Sequence, residues 1–241
     1  MSINYWLGLF CFLAFTISSP LQGQELVHYP FHTLNIDASK VADARHKFNT
    51  THTFFVATSN GREFLTADLK YGDEKSACYI YVKEGEVASA NWQALGKQID
   101  ELIIPTMRSL FGEFPDVDHN GHIVFLYYKF SPQDKIRSSF FYEDLNKYPK
   151  SNRMEVVYMN LNAGDPQSSL MKETLVHQLQ HLIAFNERVI ARHLPLLPTD
   201  LDEWMSKKAW KFFLEKNPEF IKNPYVNEKT LNELKNKEHK L

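Results

Sequence analysis

Three short runs of β-branched and aromatic residues between positions 53 and 83 predict neighbouring strands. The runs are residues 53–58, 63–69 and 77–83, which read TFFVAT, EFLTADL and ACYIYVK. Asn60-Gly61 and Gly72-Asp73 interrupt them, and such pairs are typical of turns between antiparallel strands. The pattern therefore predicts a small antiparallel meander.

The chain changes to a helical period after residue 90. Between Asn91 and Phe111 the apolar residues Leu95, Ile99, Leu102 and Ile103 recur at helical spacing. Pro105 falls inside this segment, and because proline has no N–H group we expect it to kink or divide the helix.

Two further strands and two long helices are predicted in the rest of the chain. Residues 122–130 and 154–161 are apolar runs of strand length. Ser168 or Ser169 is a candidate N-cap for a long helix, and Thr199 or Asp200 for the next one. Strands fill the first two-thirds of the chain and long helices the last third, so the predicted class is α+β.

Composition and charge narrow the class of protein. The 241 residues are 44% hydrophobic and 14% aromatic, enough for a sizeable core. The formal net charge is −2, which argues against a protein that binds nucleic acid through general electrostatic attraction.

The N-terminus predicts export. Residues 6–17 form an uninterrupted apolar run that is short for a membrane span, and no charged side chain occurs before Glu25. We interpret residues 1–23 as a signal peptide, cleaved near Gly23, with an uncleaved N-terminal anchor as the alternative. The mature protein would then be secreted or periplasmic, without a membrane segment. Cys78 would be its one cysteine, so no internal disulfide is expected, and its strand pattern predicts a buried, inert thiol.

A turn rich in acidic residues precedes the strand at residues 122–130. Asp116, Asp118, Asn120 and Gly121 resemble the start of an EF-hand calcium loop. Such a loop needs a bidentate glutamate at its twelfth position, which is Tyr127 here. The alternative is a tight turn in which Gly121 supplies a positive φ.

The strongest candidate chemistry lies in the sequence HQLQH. His177 and His181 are one helical turn apart, so both imidazoles project from the same face and can share one ion. A third ligand could come from Glu187 or Glu203, and we favour Glu203 because it lies on the next helix. Asp202 is then a candidate to orient one imidazole ring. Alternatively, the two histidines fill polar positions of a core.

From about residue 78 to residue 209 the chain resembles the hyicolysin family of neutral zinc metallopeptidases, which are secreted bacterial enzymes. Members of that family typically read T-x-x-H-E-x-Q-H-x-I-x-F-N at the zinc-binding helix. The matching residues here are Thr174, His177, Gln180, His181, Ile183, Phe185 and Asn186. The D-x-D-x-N-G turn and the segment LDEWMSKKA add to the resemblance.

The resemblance implies a zincin-like domain at residues 76–217 that binds one zinc ion through His177, His181 and Glu203. It also implies a peptide or protein as substrate or ligand. A signal peptide (1–23) and an N-terminal β segment (24–75) would precede this domain, and a charged tail (218–241) would follow it.

Two positions depart from the family pattern. Gln178 replaces the glutamate that acts as general base, and Trp204 replaces the glycine after the third ligand. Three hypotheses follow. The chain is a zinc-binding homologue that has lost proteolysis and keeps a binding role, an active endopeptidase with an unusual base such as Glu173, or a structural or adhesion protein without metal.

Overall fold

The computed structural model describes residues 41–42, 49–58, 61–86 and 90–221 and confirms the α+β class. The predicted signal peptide lies outside these residues, as do residues 24–40 and 222–241. The strands are β1 (Thr51–Thr58), β2 (Gly61–Tyr71), β3 (Cys78–Lys83), β4 (Ile123–Tyr128), β5 (Ser138–Phe140) and β6 (Val156–Asn160). The helices are α1 (Trp92–Gln98), α2 (Ile104–Phe111), α3 (Ser169–Phe185), α4 (Thr199–Lys216) and α5 (Pro218–Ile221). No helix in this described part of the chain is long and apolar enough to cross a membrane.

The six strands form one mixed sheet in the order β1-β2-β3-β4-β6-β5. Strands β1, β2 and β3 pair antiparallel, which confirms the predicted meander. Strands β3, β4 and β6 pair parallel, and their continuous apolar sequences fit strands that are buried on both faces. Strands β1 and β2 hydrogen-bond into the same sheet as β3. The boundary at residue 75 between an N-terminal β segment and the zincin-like domain stays a prediction.

Strand β5 was not predicted from the sequence. It pairs antiparallel with β6 and is the last strand of the sheet on that side. Three residues are too few to display a period of two, so the hydrophobic pattern contains no signal for it. This short strand nevertheless lies beside the candidate site.

Pro105 divides the predicted helix through a widened turn. Asn91 caps α1 by accepting the N–H of Ala94 at 3.0 Å. A π-helical turn, Ile99–Ile103, then joins α1 to α2. A proline ring clashes with the carbonyl four residues earlier, and a π turn relieves that clash while the helix continues.

Helix α3 packs against β5 and β6, α4 packs against α3 and α2, and together α3 and α4 carry the candidate site. Ser168 caps α3 by accepting the N–H of Met171, as predicted. The predicted cap of α4 was wrong, since Pro198 is the N-cap and no side chain among the described residues caps this end. Pro198 has an extended conformation, and its carbonyl accepts the N–H groups of Leu201 and Asp202 at 3.0 Å each.

The core between helices and sheet is continuous and apolar. Its members include Leu95, Ile103, Phe125, Tyr127, Val176, Leu179 and Phe213, all at most 1% exposed. Cys78 belongs to this core, and burial raises the pKa of its thiol well above the usual range. The prediction of a buried thiol is thus confirmed, and a thiol of raised pKa is a poor nucleophile.

A buried carboxylate joins the meander to the segment that precedes β6. Asp144 is completely buried and forms an ion pair with Arg62 of β2. It also accepts hydrogen bonds from the hydroxyl of Tyr158 on β6 and from the backbone N–H and side-chain amide of Asn152. Asp144 is therefore an acceptor that Arg62, Tyr158 and Asn152 share.

Candidate metal centre

His177 and His181 lie one turn apart on α3 and face each other. Their Nε2 atoms are 3.0 Å apart, and the ring centroids are separated by 4.8 Å. Leu175, Val176 and Leu179 of the same helix are buried in the core, which fixes the rotation of α3 about its axis. The two imidazoles therefore project together toward α4.

Glu203 on α4 completes a group of three donor atoms. Its Oε1 atom is 3.5 Å from Nε2 of His181, and its Oε2 atom is 3.7 Å from Nε2 of His177. All ligand atoms of this group lie within 4.8 Å of one another. Ligands about 2.0–2.1 Å from a tetrahedral zinc ion are separated by about 3.3 Å, so the observed separations are close to those a zinc ion needs. Nitrogen from two imidazoles and oxygen from one carboxylate also match the ligand types zinc accepts.

Asp202 fixes the orientation of the His181 ring. Its Oδ2 atom lies 2.8 Å from Nδ1 of His181 and accepts the hydroxyl of Tyr142 at 2.7 Å. The hydroxyl of Ser206 is 3.2 Å from the same Nδ1 atom. With Nδ1 bound to a carboxylate, Nε2 of His181 is the atom that faces the candidate metal position.

The position of Asp202 was predicted from the sequence, whereas those of Ser206 and Tyr142 were not. Ser206 follows Asp202 by one helical turn on α4, so helical spacing could have found it. Tyr142 belongs to the 3₁₀ turn after β5 and is distant in the chain, with no sequence signal that connects it to the histidines.

The three donors have strongly shifted pKa values in the metal-free protein. Burial lowers the pKa of His181, but its hydrogen bonds to Asp202 and Glu203 outweigh this effect and raise the pKa to about 9. Burial and the neighbouring His181 lower the pKa of His177. The hydrogen bond from His181 lowers the pKa of Glu203. At neutral pH the metal-free centre therefore holds a protonated His181, a neutral His177 and an ionised Glu203.

We expect zinc binding at pH 7.5 to release about one proton. His181 is protonated below about pH 9, and a metal can bind Nε2 only after that proton leaves, so the apparent affinity should rise about tenfold per pH unit toward pH 9. Isothermal titration calorimetry in buffers of different ionisation enthalpy measures the release. Asp202→Asn lowers the pKa of His181 and should reduce the number of protons released. An enthalpy that is independent of the buffer would contradict the expectation.

Gln178 lies at the boundary between α3 and the edge strand. Its side chain is 8% exposed, and its Nε2 atom donates to the hydroxyl of Ser138 on β5 at 2.9 Å. Ser138 was not anticipated because β5 was not predicted. An amide at this position can donate and accept hydrogen bonds but cannot take up a proton near neutral pH.

Three other residues were singled out in the sequence, and none of them belongs to the group of three donors: Glu187, Glu173 and Trp204. Glu187 accepts the backbone N–H of Glu113 at 3.2 Å and lies 3.5 Å from Arg192, so its carboxylate is engaged near the end of α2. Glu173 is partly buried on α3, one turn before His177. Trp204, which directly follows Glu203, is 58% exposed.

Comparison with known proteins indicates the class of protein. No family model matches the chain. Residues of this chain are 27% identical over 165 positions to a neutral metalloprotease, and the match covers 63% of the chain. Together with the His177, His181 and Glu203 group, this similarity indicates a metallopeptidase-like protein. The relative is the neutral metalloprotease ShpI of Staphylococcus hyicus, and the match spans 37% of its length.

Proposed function

We propose that the chain is a secreted, zinc-binding metallopeptidase homologue that has lost efficient proteolysis and binds peptide segments. The observation that carries the proposal is the convergence of His177, His181 and Glu203 beside a glutamine at the position of the general base. The similarity to a neutral metalloprotease supports the relationship to peptidases.

The donor set is suited to one zinc ion with an open fourth position. His177, His181 and Glu203 would hold the ion, and Asp202 would keep His181 in the correct tautomer. A zinc ion bound in this way supplies a Lewis acid and lowers the pKa of a bound water. The centre is reachable from solvent, since His177 and Glu203 are 21% and 28% exposed.

Gln178 accounts for the loss of proteolysis. Peptide hydrolysis needs a group that takes a proton from the attacking water and delivers it to the leaving amine. The Gln178 amide cannot do this, and the absence of a positioned base costs a factor of roughly 10²–10⁴ in rate. That factor corresponds to about 3–5 kcal/mol of activation free energy.

The position of β5 supports a role in peptide binding. β5 pairs with β6 along one side and has no partner strand on its other side within the described part of the chain. An extended peptide can add to such an edge through main-chain hydrogen bonds. Ser138 of β5 contacts Gln178 directly, so a peptide on this edge would run beside the candidate metal centre.

We expect one zinc ion per chain after dialysis against dilute zinc, measured by inductively coupled plasma mass spectrometry. His177→Ala and Glu203→Gln each remove one of three ligands and should lower the bound zinc below a tenth of an ion per chain. Glu187→Gln removes a carboxylate that is engaged elsewhere and is the matched control, so it should retain one ion.

Zinc below a tenth of an ion per wild-type chain would contradict the proposal. In that case His177→Ala should also leave the melting temperature in zinc unchanged, which is the result expected of a structural or adhesion protein without metal.

A further inference from the structure

The turn between α2 and β4 is held by hydrogen bonds to a single aspartate oxygen. Oδ1 of Asp116 accepts the backbone N–H groups of Asn120 and Gly121 at 3.0 and 3.1 Å. Gly121 has a φ of 73°, as predicted for a tight turn, and His119 also has a positive φ. These contacts explain the shape of the turn and the role of Oδ1, but they leave Asp118 and the second oxygen of Asp116 unexplained.

A third carboxylate reaches this turn from a distant part of the chain. Glu155 directly precedes β6, and its Oε1 atom accepts the backbone N–H of Val117 at 2.8 Å. Asp116, Asp118 and Glu155 each offer one oxygen atom, and these atoms lie within 4.8 Å of one another. Two oxygens bound to the same calcium ion at 2.3–2.6 Å can be separated by at most about 5 Å, so the three carboxylates are close enough to share one.

Glu155 supplies the carboxylate that the sequence motif lacks. An EF-hand loop would place a glutamate at position 127, but Tyr127 is completely buried in the core. Strands β4 and β6 are neighbouring and parallel, so the residue before β6 lies beside the turn before β4. Glu155 therefore contacts this turn although it is 38 residues further along the chain than Val117.

Two buried oxygens in this cluster have no hydrogen-bond partner. Asp118 is 1% exposed and Glu155 is fully buried. Oδ2 of Asp118 accepts the side-chain amide of Asn120 at 2.6 Å, whereas Oδ1 of Asp118 and Oε2 of Glu155 have no partner within the described residues. A buried carboxylate oxygen without a partner is costly, and a bound cation is one of the few arrangements that offset this cost.

We propose that Asp116, Asp118 and Glu155 form a calcium site, separate from the candidate zinc centre. All its side-chain donors are carboxylate oxygens, which calcium prefers, whereas zinc favours nitrogen and sulfur. Asp116 is exposed, so water can complete the six to eight ligands that calcium takes. A tight octahedral shell, as magnesium demands, is harder to form from a cluster in which Asp116 and Glu155 are already fixed by backbone N–H groups.

The raised pKa values of two carboxyl groups at the turn are consistent with this site. Burial and the charge of Asp116 raise the pKa of Asp118 to about 7, although His119 acts in the opposite direction. Burial and Asp118 likewise raise the pKa of Glu155 well above its usual range. A bound calcium ion would connect the turn before β4 to the residue that directly precedes β6, and so stabilise the central parallel strands.

The test titrates calcium into the zinc-loaded full chain and follows binding by calorimetry and unfolding by thermal denaturation. We expect one calcium ion per chain with a dissociation constant at or below about 1 mM, and a melting temperature that rises by several degrees at saturation. Asp116→Asn keeps an oxygen that accepts the backbone N–H groups of the turn, and Asp118→Asn keeps the shape of its side chain. Each should weaken calcium binding at least tenfold and reduce the thermal shift.

Two controls separate this site from the zinc centre and from general charge effects. Glu101→Gln removes an exposed carboxylate on the π-helical turn and should bind calcium like the wild type. His177→Ala should also bind calcium normally, and Asp118→Asn should keep its zinc. The proposal is overturned if less than a tenth of a calcium ion binds at 5 mM, if Asp116→Asn and Asp118→Asn both respond like the wild type, or if magnesium raises the melting temperature more than calcium does.

Discussion

Replacing Gln178 by glutamate is expected to increase the rate of peptide cleavage by roughly 10²–10⁴. The new carboxylate would occupy the place of the amide, next to the first histidine of the metal centre. Ser138 can accommodate the change, because its hydroxyl accepts a hydrogen bond from the Gln178 amide and can donate one to a carboxylate instead. Cleavage of casein and of mixed fluorogenic peptides, with and without a zinc chelator, measures the gain.

The double variant Gln178→Glu with His177→Ala is the matched control for this experiment. It contains the new carboxylate without a complete metal site and should be inactive. If the wild-type chain cleaves as fast as Gln178→Glu and the chelator stops both, the protein is an active peptidase with another base, such as Glu173. If Gln178→Glu binds zinc and still does not cleave, the glutamine is not the sole reason for inactivity.

Replacing Asp144 by alanine is expected to lower the free energy of unfolding by about 3–5 kcal/mol. The change leaves the Arg62 guanidinium without its counter-charge and removes one of the acceptors of Tyr158 and Asn152, both of which also reach the carbonyl of Phe55. The loss is large because Asp144 is completely buried and water cannot replace these bonds. Urea denaturation followed by circular dichroism gives the free energy.

Asp68→Ala is the matched control, because Asp68 is a half-exposed aspartate of the same sheet that pairs with Lys70. Exposed ion pairs contribute little, so we expect a change within about 1 kcal/mol. Asp144→Asn, which keeps an acceptor oxygen, should lie between the two. A loss for Asp144→Ala as small as that of the control would mean that the cluster does not stabilise the sheet.

Features that depend on neighbours in the chain could be predicted from the sequence. His177 and His181 share a helical face because they are four residues apart, and the turn at Gly121 forms through contacts within six residues. The strands of the meander followed from their runs of β-branched and aromatic residues and from the turn residues between them. Glu203 could be predicted for a similar reason, because a short connection places α4 beside α3.

Features that depend on contacts between distant residues could not be predicted from the sequence. Glu155 is 38 residues from Val117, and Asp144 is 82 residues from Arg62, so no spacing in the sequence relates them. The π-helical turns at 99–103 and 186–190 were missed because one extra residue per turn hardly changes a pattern of apolar positions. Strand β5, and with it Ser138, depends on pairing with β6 and not on its own composition.

The exposed indole of Trp204 gives this protein an intrinsic fluorescence reporter. Trp204 directly follows Glu203 and is 58% exposed, whereas Trp210 on the same helix is 4% exposed and packed against Phe213. Acrylamide in solution will therefore quench Trp204 more strongly than Trp210 or Trp92, which is partly buried. Any molecule that covers this side of α4 shields Trp204 from the quencher, so occupancy of the surface beside the three donors can be followed without attaching a dye.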